Sequence, residues 1–165
     1  MHCQPEIDDW LTAIIECRQA LLNTCRYRFE AHPGPGSHSG WSGTGEGTAT
    51  PEQDATGTVV RLHETGTFID NAGHQSITRN VFRFTHAAER ISLHHERRGP
   101  LHPVWLFDLV ADPLNARRLV TDTPHLCGDD RYSAALTLQR GHMQLDWHIQ
   151  GPRKNEYLRY YYRTA

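Results

Sequence analysis

Apolar residues near the start of the chain recur every three or four positions, which is the spacing of one face of an α-helix. Pro5 and the acidic side chains that follow it are typical of a helix N-terminus, where the helix dipole favours negative charge. The pattern predicts one amphipathic helix over about residues 5–24, with its apolar stripe buried against the rest of the same chain. Docking of the stripe on a partner protein is the alternative. The stripe comprises Ile7, Trp10, Leu11, Ile14, Ile15, Leu21 and Leu22.

Beyond the helix, the apolar positions repeat with a period of two, which is the repeat of a β-strand. A loop rich in Gly and Pro at 33–40 separates the two patterns. Turn residues at 71–73 and 140–141 favour antiparallel hairpins between segments rich in Val, Ile, Thr and aromatic residues. Strands are predicted at 41–49, 57–65, 76–86, 89–97, 103–110, 116–121, 131–139, 142–150 and 156–163.

Many short strands at this spacing predict a mainly β protein, either a sandwich or a closed antiparallel barrel. The chain has 165 residues, a length that suits one hydrophobic core. We therefore expect residues 1–165 to form a single domain. In it, the strands of 41–163 would form the barrel and the helix of 5–24 would cover part of it.

The overall charge of the chain is close to balanced, with a formal net charge of -2. This balance argues against a nucleic-acid partner, since nucleic-acid-binding domains usually carry clustered basic residues. No apolar run is long enough to span a membrane, and the N-terminus lacks the pattern of a secretory signal. The 4 cysteines form no CxxC pair, as expected of reduced thiols. We therefore expect a cytoplasmic protein with no membrane partner, and a homodimer stays open.

Alternation also assigns side chains to the two faces of each predicted strand, although it does not say which face is inside. Trp105 and Phe107 share one face of 103–110, and Trp147 lies on the apolar face of 142–150. We expect these aromatic faces to point inward and to line a cavity in which a few polar groups orient a small molecule. The alternative is that the three rings fill the core.

His125 and Cys127 lie two positions apart, so both side chains would point to the same side of an extended segment, close to Asp129 and Asp130. Such a set is typical of a small metal site or of a thiol activated by an imidazole. A metal site normally has three or four ligands, however, and no pattern in the sequence completes the set. We predict no metal here, and a turn held by the two aspartates is the commoner explanation.

The 12 histidines are numerous, and histidine is both a frequent metal ligand and a frequent acid–base group. An imidazole on a strand could also bind haem iron as an axial ligand. No CxxCH motif attaches a haem covalently, so no cofactor is predicted, and a non-covalently bound haem or metal is kept as an alternative. The candidate axial ligands are His86, His94, His95 and His148.

Polar residues within the predicted strands are the candidates for acid–base chemistry or for binding an anion. Each of them taken singly is more often a surface or structural group. A Ser-His-Asp hydrolase is not expected, because no Gly-x-Ser-x-Gly elbow is present. The polar candidates are Glu64, Arg79, Arg83, Asp108 and Tyr132.

Two segments of the C-terminal half carry a family resemblance, HLCGDDRY at 125–132 and WHIQGPRKNEYLRYYYR at 147–163. The sequence resembles the uncharacterised family catalogued as domain of unknown function number 6314, over about residues 40–163. That family's pattern has a His-x-Cys, an Asp-x-Tyr, a Trp, a Gly-Pro-x-Lys and a final Tyr-x-Arg strand. The matching residues are His125, Cys127, Asp130, Tyr132, Trp147, Gly151, Pro152, Lys154, Tyr161 and Arg163, with a looser fit at Gly45, Glu64, Gly66, Arg79, Phe84, Phe107 and Asp108.

The chain departs from the family pattern on two strands. His63 stands before Glu64 where the pattern has an aromatic residue, and the residues of 105–108 replace a Phe-His-type strand. The resemblance implies a lipocalin-like, calycin-type antiparallel barrel, which agrees with the roughly 8–10 strands expected from the pattern. Such barrels bind small apolar or aromatic molecules, hold haem, or catalyse isomerisation, cyclisation and decarboxylation, and the fold does not choose among these.

The leading hypothesis is that the barrel binds a small, partly apolar or aromatic metabolite. Aromatic side chains would bury the apolar part of this molecule, and polar side chains, above all Arg79, Tyr132 and Lys154, would orient it. The candidate ligand-binding residues are Arg79, Trp105, Phe107, Asp108, Cys127, Trp147 and Lys154.

The alternative is a cofactor-independent enzyme of the same shape, namely an isomerase, cyclase or lyase acting on a small metabolite. In such an enzyme Glu64 or His125 would move a proton, and Tyr132 or Arg79 would stabilise developing negative charge. A third hypothesis is an interaction module that uses the apolar stripe of the helix and has a barrel filled by side chains.

Overall fold

The computed structural model describes residues 7–38 and 42–164. In these ranges one helix is followed by strands β1 to β11. The helix lacks the length and hydropathy needed to cross a membrane. The elements are α1 (Ile7–Leu22), β1 (Thr24–Pro33), β2 (Gly43–Gln53), β3 (Val59–Asp70), β4 (Gln75–His86), β5 (Ile91–His95), β6 (Val104–Asp112), β7 (Asn115–Thr121), β8 (His125–Cys127), β9 (Asp130–Gln139), β10 (His142–Gln150) and β11 (Asn155–Thr164).

Ten of the strands form a closed antiparallel barrel. β1 to β7 pair in chain order, β7 pairs with β9, and β9, β10 and β11 continue the sheet until β11 pairs with β1. β8 is a short extra strand beside the start of β9, where His125 lies opposite Tyr132. Closure removes the edges that an open sheet would leave. The predicted antiparallel barrel with an N-terminal helix is confirmed.

Side chains alternate between the barrel interior and the outer surface along each strand. In β10 the apolar Met143, Leu145 and Trp147 are buried, and half-buried polar side chains alternate with them. Buried residues from the other strands of the ring, such as Phe84 and Leu109, join them in one core. The aromatic face of β10 therefore points inward, which is the orientation expected for it among the two that alternation left open.

α1 covers the end of the barrel at which β2 turns into β3. Nε of Arg18 donates to the carbonyl of Gly57 in that turn at 2.9 Å. On the same helix Glu16 forms an ion pair with Arg117 of β7. The helix also contacts β2, β3, β6, β9 and β10, which surround that end. The predicted packing of the helix against its own chain is therefore confirmed.

The apolar stripe of α1 differs in part from the predicted one. Leu11 and Ile15 are each 49% exposed, so they lie outside the buried stripe. Smaller side chains take their place, and these let the helix approach the barrel closely. The side chains of Ile7 and Trp10 lie outside the described residues. The buried side chains are Ala13, Ile14, Cys17 and Leu21.

β1 is a strand that the sequence analysis missed, since the predicted helix reached residue 24 and no strand was assigned before the loop. The helix ends at Leu22, and the hydroxyl of Thr24 donates to the carbonyl of Ala20 at 2.7 Å. Because a single residue separates helix and strand, no turn residues mark the boundary. The burial of Tyr27 and Phe29, two positions apart, shows the strand alternation.

A β-bulge in β6 reverses the predicted orientation of Trp105. Leu93 of β5 pairs with Phe107, but the next residue, His94, pairs with Trp105, so Leu106 is an extra residue in the register. Leu106 and Phe107 are consequently both buried, and Trp105 is 41% exposed. The expectation that Trp105 and Phe107 face the cavity together is wrong for Trp105, because strict alternation fails at a bulge.

Candidate functional site

A cavity of about 420 Å³ opens at the end of the barrel opposite α1. This is the end at which β10 turns into β11 through residues 151–154. Aromatic and apolar side chains form most of the wall, and charged and polar groups are added from several elements. The lining residues are Phe29, Thr78, Asn80, Phe82, His95, Arg97, Leu106, Tyr132, Trp147, Ile149, Lys154, Glu156, Leu158 and Tyr160.

Four aromatic rings in mutual contact form the deeper wall of the cavity. The rings of Phe29 and Tyr160 stack with centroids 5.1 Å apart, and Phe82 contacts both Tyr160 and Trp147 at 6.3 and 5.7 Å. A methyl group added at Gly45 of β2 would overlap the ring of Phe29. The ring therefore occupies space that a glycine leaves free, and the shape of this wall depends on that glycine.

Phe107 supports the aromatic wall from behind. It is fully buried, and its ring meets the ring of Trp147 edge to face with centroids 5.1 Å apart. The predicted aromatic set is thus divided among three environments. Trp147 lines the cavity, Phe107 packs behind it, and Trp105 lies on the outer surface.

Two hairpin ends meet at the mouth of the cavity and position Lys154. Nζ of Lys154 lies 3.4 Å from Oδ2 of Asp130 at the start of β9. A side chain at Gly151 would overlap the Asp130 carboxylate, so the turn of 151–154 packs closely on β9. Tyr132, two residues after Asp130, lines the same mouth. The Asp-x-Tyr and Gly-Pro-x-Lys motifs therefore form one structural unit.

Arg97 reaches the mouth from the loop that follows β5, and sequence reasoning did not single it out. The preceding residue, Glu96, is buried and accepts hydrogen bonds from Nε of Arg61 at 2.9 Å and from Nε of Arg83 at 2.7 Å. Arg83 also donates to the carbonyl of Pro100 in the same loop. Charge-assisted bonds of this kind are strong, so they fix the loop beside the cavity.

Glu64 lies in the interior, beneath the residues that line the cavity. It is 2% exposed, and its Oε2 accepts a hydrogen bond of 2.8 Å from the hydroxyl of Tyr162. Its Oε1 is buried and has no hydrogen-bond partner in the part of the chain that the structure describes. Burial raises the pKa of the Glu64 carboxyl to about 8, against the lowering effect of Tyr162. Glu64 is therefore mainly protonated at neutral pH.

The predicted pair His125 and Cys127 lies beside the mouth and does not line the cavity. The ring of His125 meets Trp105 edge to face at 4.7 Å and lies 6.0 Å from the ring of Tyr132. Cys127 is exposed on the same short strand. His125 thus packs against Tyr132 without lining the cavity itself. No group of three or more His, Cys, Asp or Glu side chains that could hold a metal ion is found among the described residues.

Two further predicted residues lie away from the cavity. Arg79 is exposed on β4 between Thr78 and Asn80, which point inward. Asp108 lies on the outer face of β6, where it accepts hydrogen bonds from Ser92, from Nε1 of Trp105 and from Arg90. Burial works to raise the pKa of Asp108, but these hydrogen bonds together lower it. Asp108 therefore holds β5, β6 and the Trp105 ring together.

Of the four histidines considered as haem ligands, His95 is the one that lines the cavity. His148 stacks on Tyr157 on the outer surface, with ring centroids 4.3 Å apart. Nδ1 of His86 lies 3.4 Å from the carbonyl of Thr58, near the end covered by the helix. Burial, followed by the charges of Arg97 and Arg98, lowers the pKa of His95, so its ring is neutral at pH 7.

The fold and the site together define the class of protein. It is a closed antiparallel barrel that is covered by a helix at one end and holds a cavity at the other. The chain belongs to the family of unknown function DUF6314, whose family model matches residues 28–164. The family resemblance predicted from the C-terminal motifs is thereby confirmed. No curated protein and no solved structure matches the chain.

Proposed function

We propose that the protein is a lipocalin-like binding protein that holds a small, partly apolar or aromatic molecule inside its barrel. The observation that carries the proposal is the cavity of about 420 Å³, which has aromatic walls and an open mouth. Binding sites for small molecules are typically concave and mostly apolar, with a few polar groups that fix orientation. The described cavity has these properties.

Desolvation of the guest supplies much of the binding free energy. A guest that buries about 200 Å² of apolar surface gains about 5 kcal/mol, at roughly 25 cal/mol per Å². Lost translational and rotational freedom opposes binding by a similar or larger amount. Aromatic burial alone therefore gives weak affinity, and the polar groups at the mouth must contribute the rest.

A substitution that fills the cavity should abolish binding of a neutral apolar probe. We expect N-phenyl-1-naphthylamine, a dye that fluoresces in apolar surroundings, to bind the wild-type protein saturably. Leu158→Trp enlarges a side chain of the cavity wall and should weaken this binding at least about tenfold by steric exclusion. The neighbouring residue Tyr157 points outward and is 47% exposed, so Tyr157→Trp is the matched control. Fluorescence titration measures both variants.

Equal affinity of the two variants would contradict binding inside the barrel, provided that circular dichroism shows both to be folded. Native mass spectrometry of freshly purified protein gives a second measurement. A co-purified organic molecule of fixed stoichiometry supports the proposal and identifies the guest. A Soret band in the absorption spectrum would instead favour haem as the guest, with His95 as the ligand within the cavity.

A second candidate function is proton transfer on the bound molecule, and the buried Glu64 favours it. Its Oε1 lacks a hydrogen-bond partner in the described part of the chain, and its cross-strand neighbour Asn80 lines the cavity. Tyr162, which donates to Glu64, stacks on the cavity residue Tyr160 with ring centroids 5.6 Å apart. A protonated carboxyl close to an aromatic cavity is typical of acid–base catalysts such as isomerases.

Deuterium exchange tests the proton-transfer function with a small aromatic ketone. At about pH 8, where about half of Glu64 is ionised, its carboxylate can take a benzylic proton of phenylacetone, and the resulting enolate takes a deuteron from D₂O. NMR follows the loss of the benzylic signal. Acceleration by the wild type but not by Glu64→Gln is the result expected of a catalyst that uses Glu64. Equal exchange rates for the two proteins would remove Glu64 from this role and leave the binding function untouched.

A further inference from the structure

The charges at the mouth of the cavity are unevenly compensated. Lys154 lies 3.4 Å from Asp130, and the negative charge of Glu156, which also lines the cavity, acts on it as well. Two carboxylates thus offset the one lysine of the mouth. Its ammonium group has acceptors already and is not the strongest candidate for binding an additional anion.

Arg97 is the uncompensated cation of the mouth. Its guanidinium group has no carboxylate or hydrogen-bond acceptor in the ranges 7–38 and 42–164. Its charge acts on the hydroxyl groups of Tyr132 and Tyr160, both of which line the cavity. It also lowers the pKa of His95, after burial, which has the larger effect. Arg97 is therefore a cation of the mouth whose charge is not engaged in an ion pair with any described residue.

The backbone that carries Arg97 is fixed before any ligand arrives, and its side chain is exposed at the mouth. The neighbouring Glu96 is held by two guanidinium groups from β3 and β4, and the backbone nitrogen of Arg97 donates to Nδ1 of His95 at 3.3 Å. A group held in place by its neighbours loses little conformational entropy on binding. The fixed backbone thus keeps the guanidinium group of Arg97 within reach of the aromatic cavity.

We infer that the molecule bound in the barrel is an aromatic or otherwise flat apolar acid, whose anionic group is held by Arg97 while its ring lies against Trp147 and Phe82. A guanidinium group offers two parallel N–H donors, which match the oxygen pairs of a carboxylate or a sulfonate. This inference rests on the proposed binding function and specifies the chemical class of the guest. It also supplies the polar contribution that aromatic burial alone lacks.

Two dyes that differ in one group test the inference. 8-Anilinonaphthalene-1-sulfonate has the ring system of N-phenyl-1-naphthylamine with an added sulfonate, and both dyes fluoresce in apolar surroundings. We expect the sulfonate to bind the wild type at least about fivefold more tightly than the neutral dye and to displace it. Arg97→Gln should weaken binding of the sulfonate about tenfold and change binding of the neutral dye less than about twofold.

Two control variants separate the charge of Arg97 from general electrostatics. Arg79→Gln removes one positive charge from the outer surface and should leave the binding of both dyes unchanged. Arg97→Lys keeps the charge but loses the paired donors, so it should restore part of the affinity for the sulfonate. Thermal unfolding of each variant checks that its fold is intact.

The outcomes distinguish this inference from the proposed function. The neutral dye could bind the wild type while Arg97→Gln weakens the binding of both dyes equally, or of neither. The cavity would then bind small molecules, but the inference that its ligand is an acid held by Arg97 would be wrong. A similar loss of sulfonate binding in Arg79→Gln would show adsorption to surface charge and would also overturn the inference. If neither dye binds the wild type, the binding function itself fails, and the anionic class fails with it.

Discussion

The free energy of unfolding should fall by several kcal/mol between about pH 5 and about pH 9, because Glu64 must ionise inside the barrel. In the unfolded chain this carboxyl titrates near its ordinary pKa of 4.5, whereas burial raises the pKa in the folded protein to about 8. Between these values the folded state holds a proton that the unfolded state has released. Raising the pH therefore favours unfolding. Protonated Glu64 makes its whole contribution to the free energy of unfolding below pH 4.5, and this contribution is lost as the pH rises to 8.

The size of the effect follows from the shift in the pKa. One pKa unit corresponds to about 1.4 kcal/mol, so the shift of the Glu64 carboxyl contributes on the order of 5 kcal/mol. The phenols packed around Glu64 stay neutral over this range, since burial first of all raises the pKa of Tyr27, of Tyr160 and of Tyr162. Glu64 is therefore the group of this buried cluster that ionises between pH 5 and pH 9, a range of about four pH units.

Glu64→Gln isolates the contribution of this carboxyl. Glutamine has nearly the same shape and can still accept the hydrogen bond from Tyr162, but it does not titrate. We expect the variant to be more stable than the wild type at about pH 9 and to lose the steep dependence on pH. Urea unfolding across the pH range measures the difference, with Glu46→Gln on the exposed face of β2 as the control. Parallel curves for wild type and Glu64→Gln would show that Glu64 titrates normally.

Truncation of Leu21 should cost about 2–5 kcal/mol of folding free energy, which is the usual range for removing a fully buried leucine side chain. Leu21 is 0% exposed and lies on the face of α1 that closes the barrel. The cavity left by Leu21→Ala would be surrounded by both helix and barrel, so neighbouring side chains could fill it only in part. A loss of this size would show that the helix is an integral part of the core.

Leu11→Ala is the matched control on the same helix. Leu11 is half exposed, and its truncation removes the same atoms from a position that the core does not enclose. We expect a change within about 0.5 kcal/mol. Urea unfolding of both variants at one pH makes the comparison. Equal effects at the two positions would contradict the helix orientation described above, and a larger effect at Leu11 would reverse it.

The sequence predicts the barrel well because its signal is repeated along the chain. Most of the longer strands from β2 onward show the alternation of a sheet with one buried face, and Gly141 marks a tight hairpin between β9 and β10. β1 was missed because it follows the helix directly, and β8 was missed because three residues are too short for a pattern. Periodicity therefore predicts the repeated elements and fails at the irregular ones.

The site was predicted less completely because its residues come from irregular parts of the chain. Tyr132, Trp147 and Lys154 carry motif or pattern signals, and they line the cavity. Arg97 lies in a loop among other charged residues, and no local pattern shows that Glu96 turns this loop toward the mouth. Trp105 was misplaced by the one extra residue of the bulge. Loop direction and bulges are set by tertiary contacts, which alternation does not encode.

The pairing of β1 with β11 has a consequence for folding. Tyr27 and Tyr162 are register partners although most of the chain separates them, and the strands between them pair largely with their sequence neighbours. The ring therefore cannot close on the ribosome until β11 has been synthesised, and until then β1 and β10 each expose one unpaired side. Contacts over such long sequence separations slow folding and leave time for intermolecular strand pairing. Refolding yield should accordingly fall as the protein concentration rises.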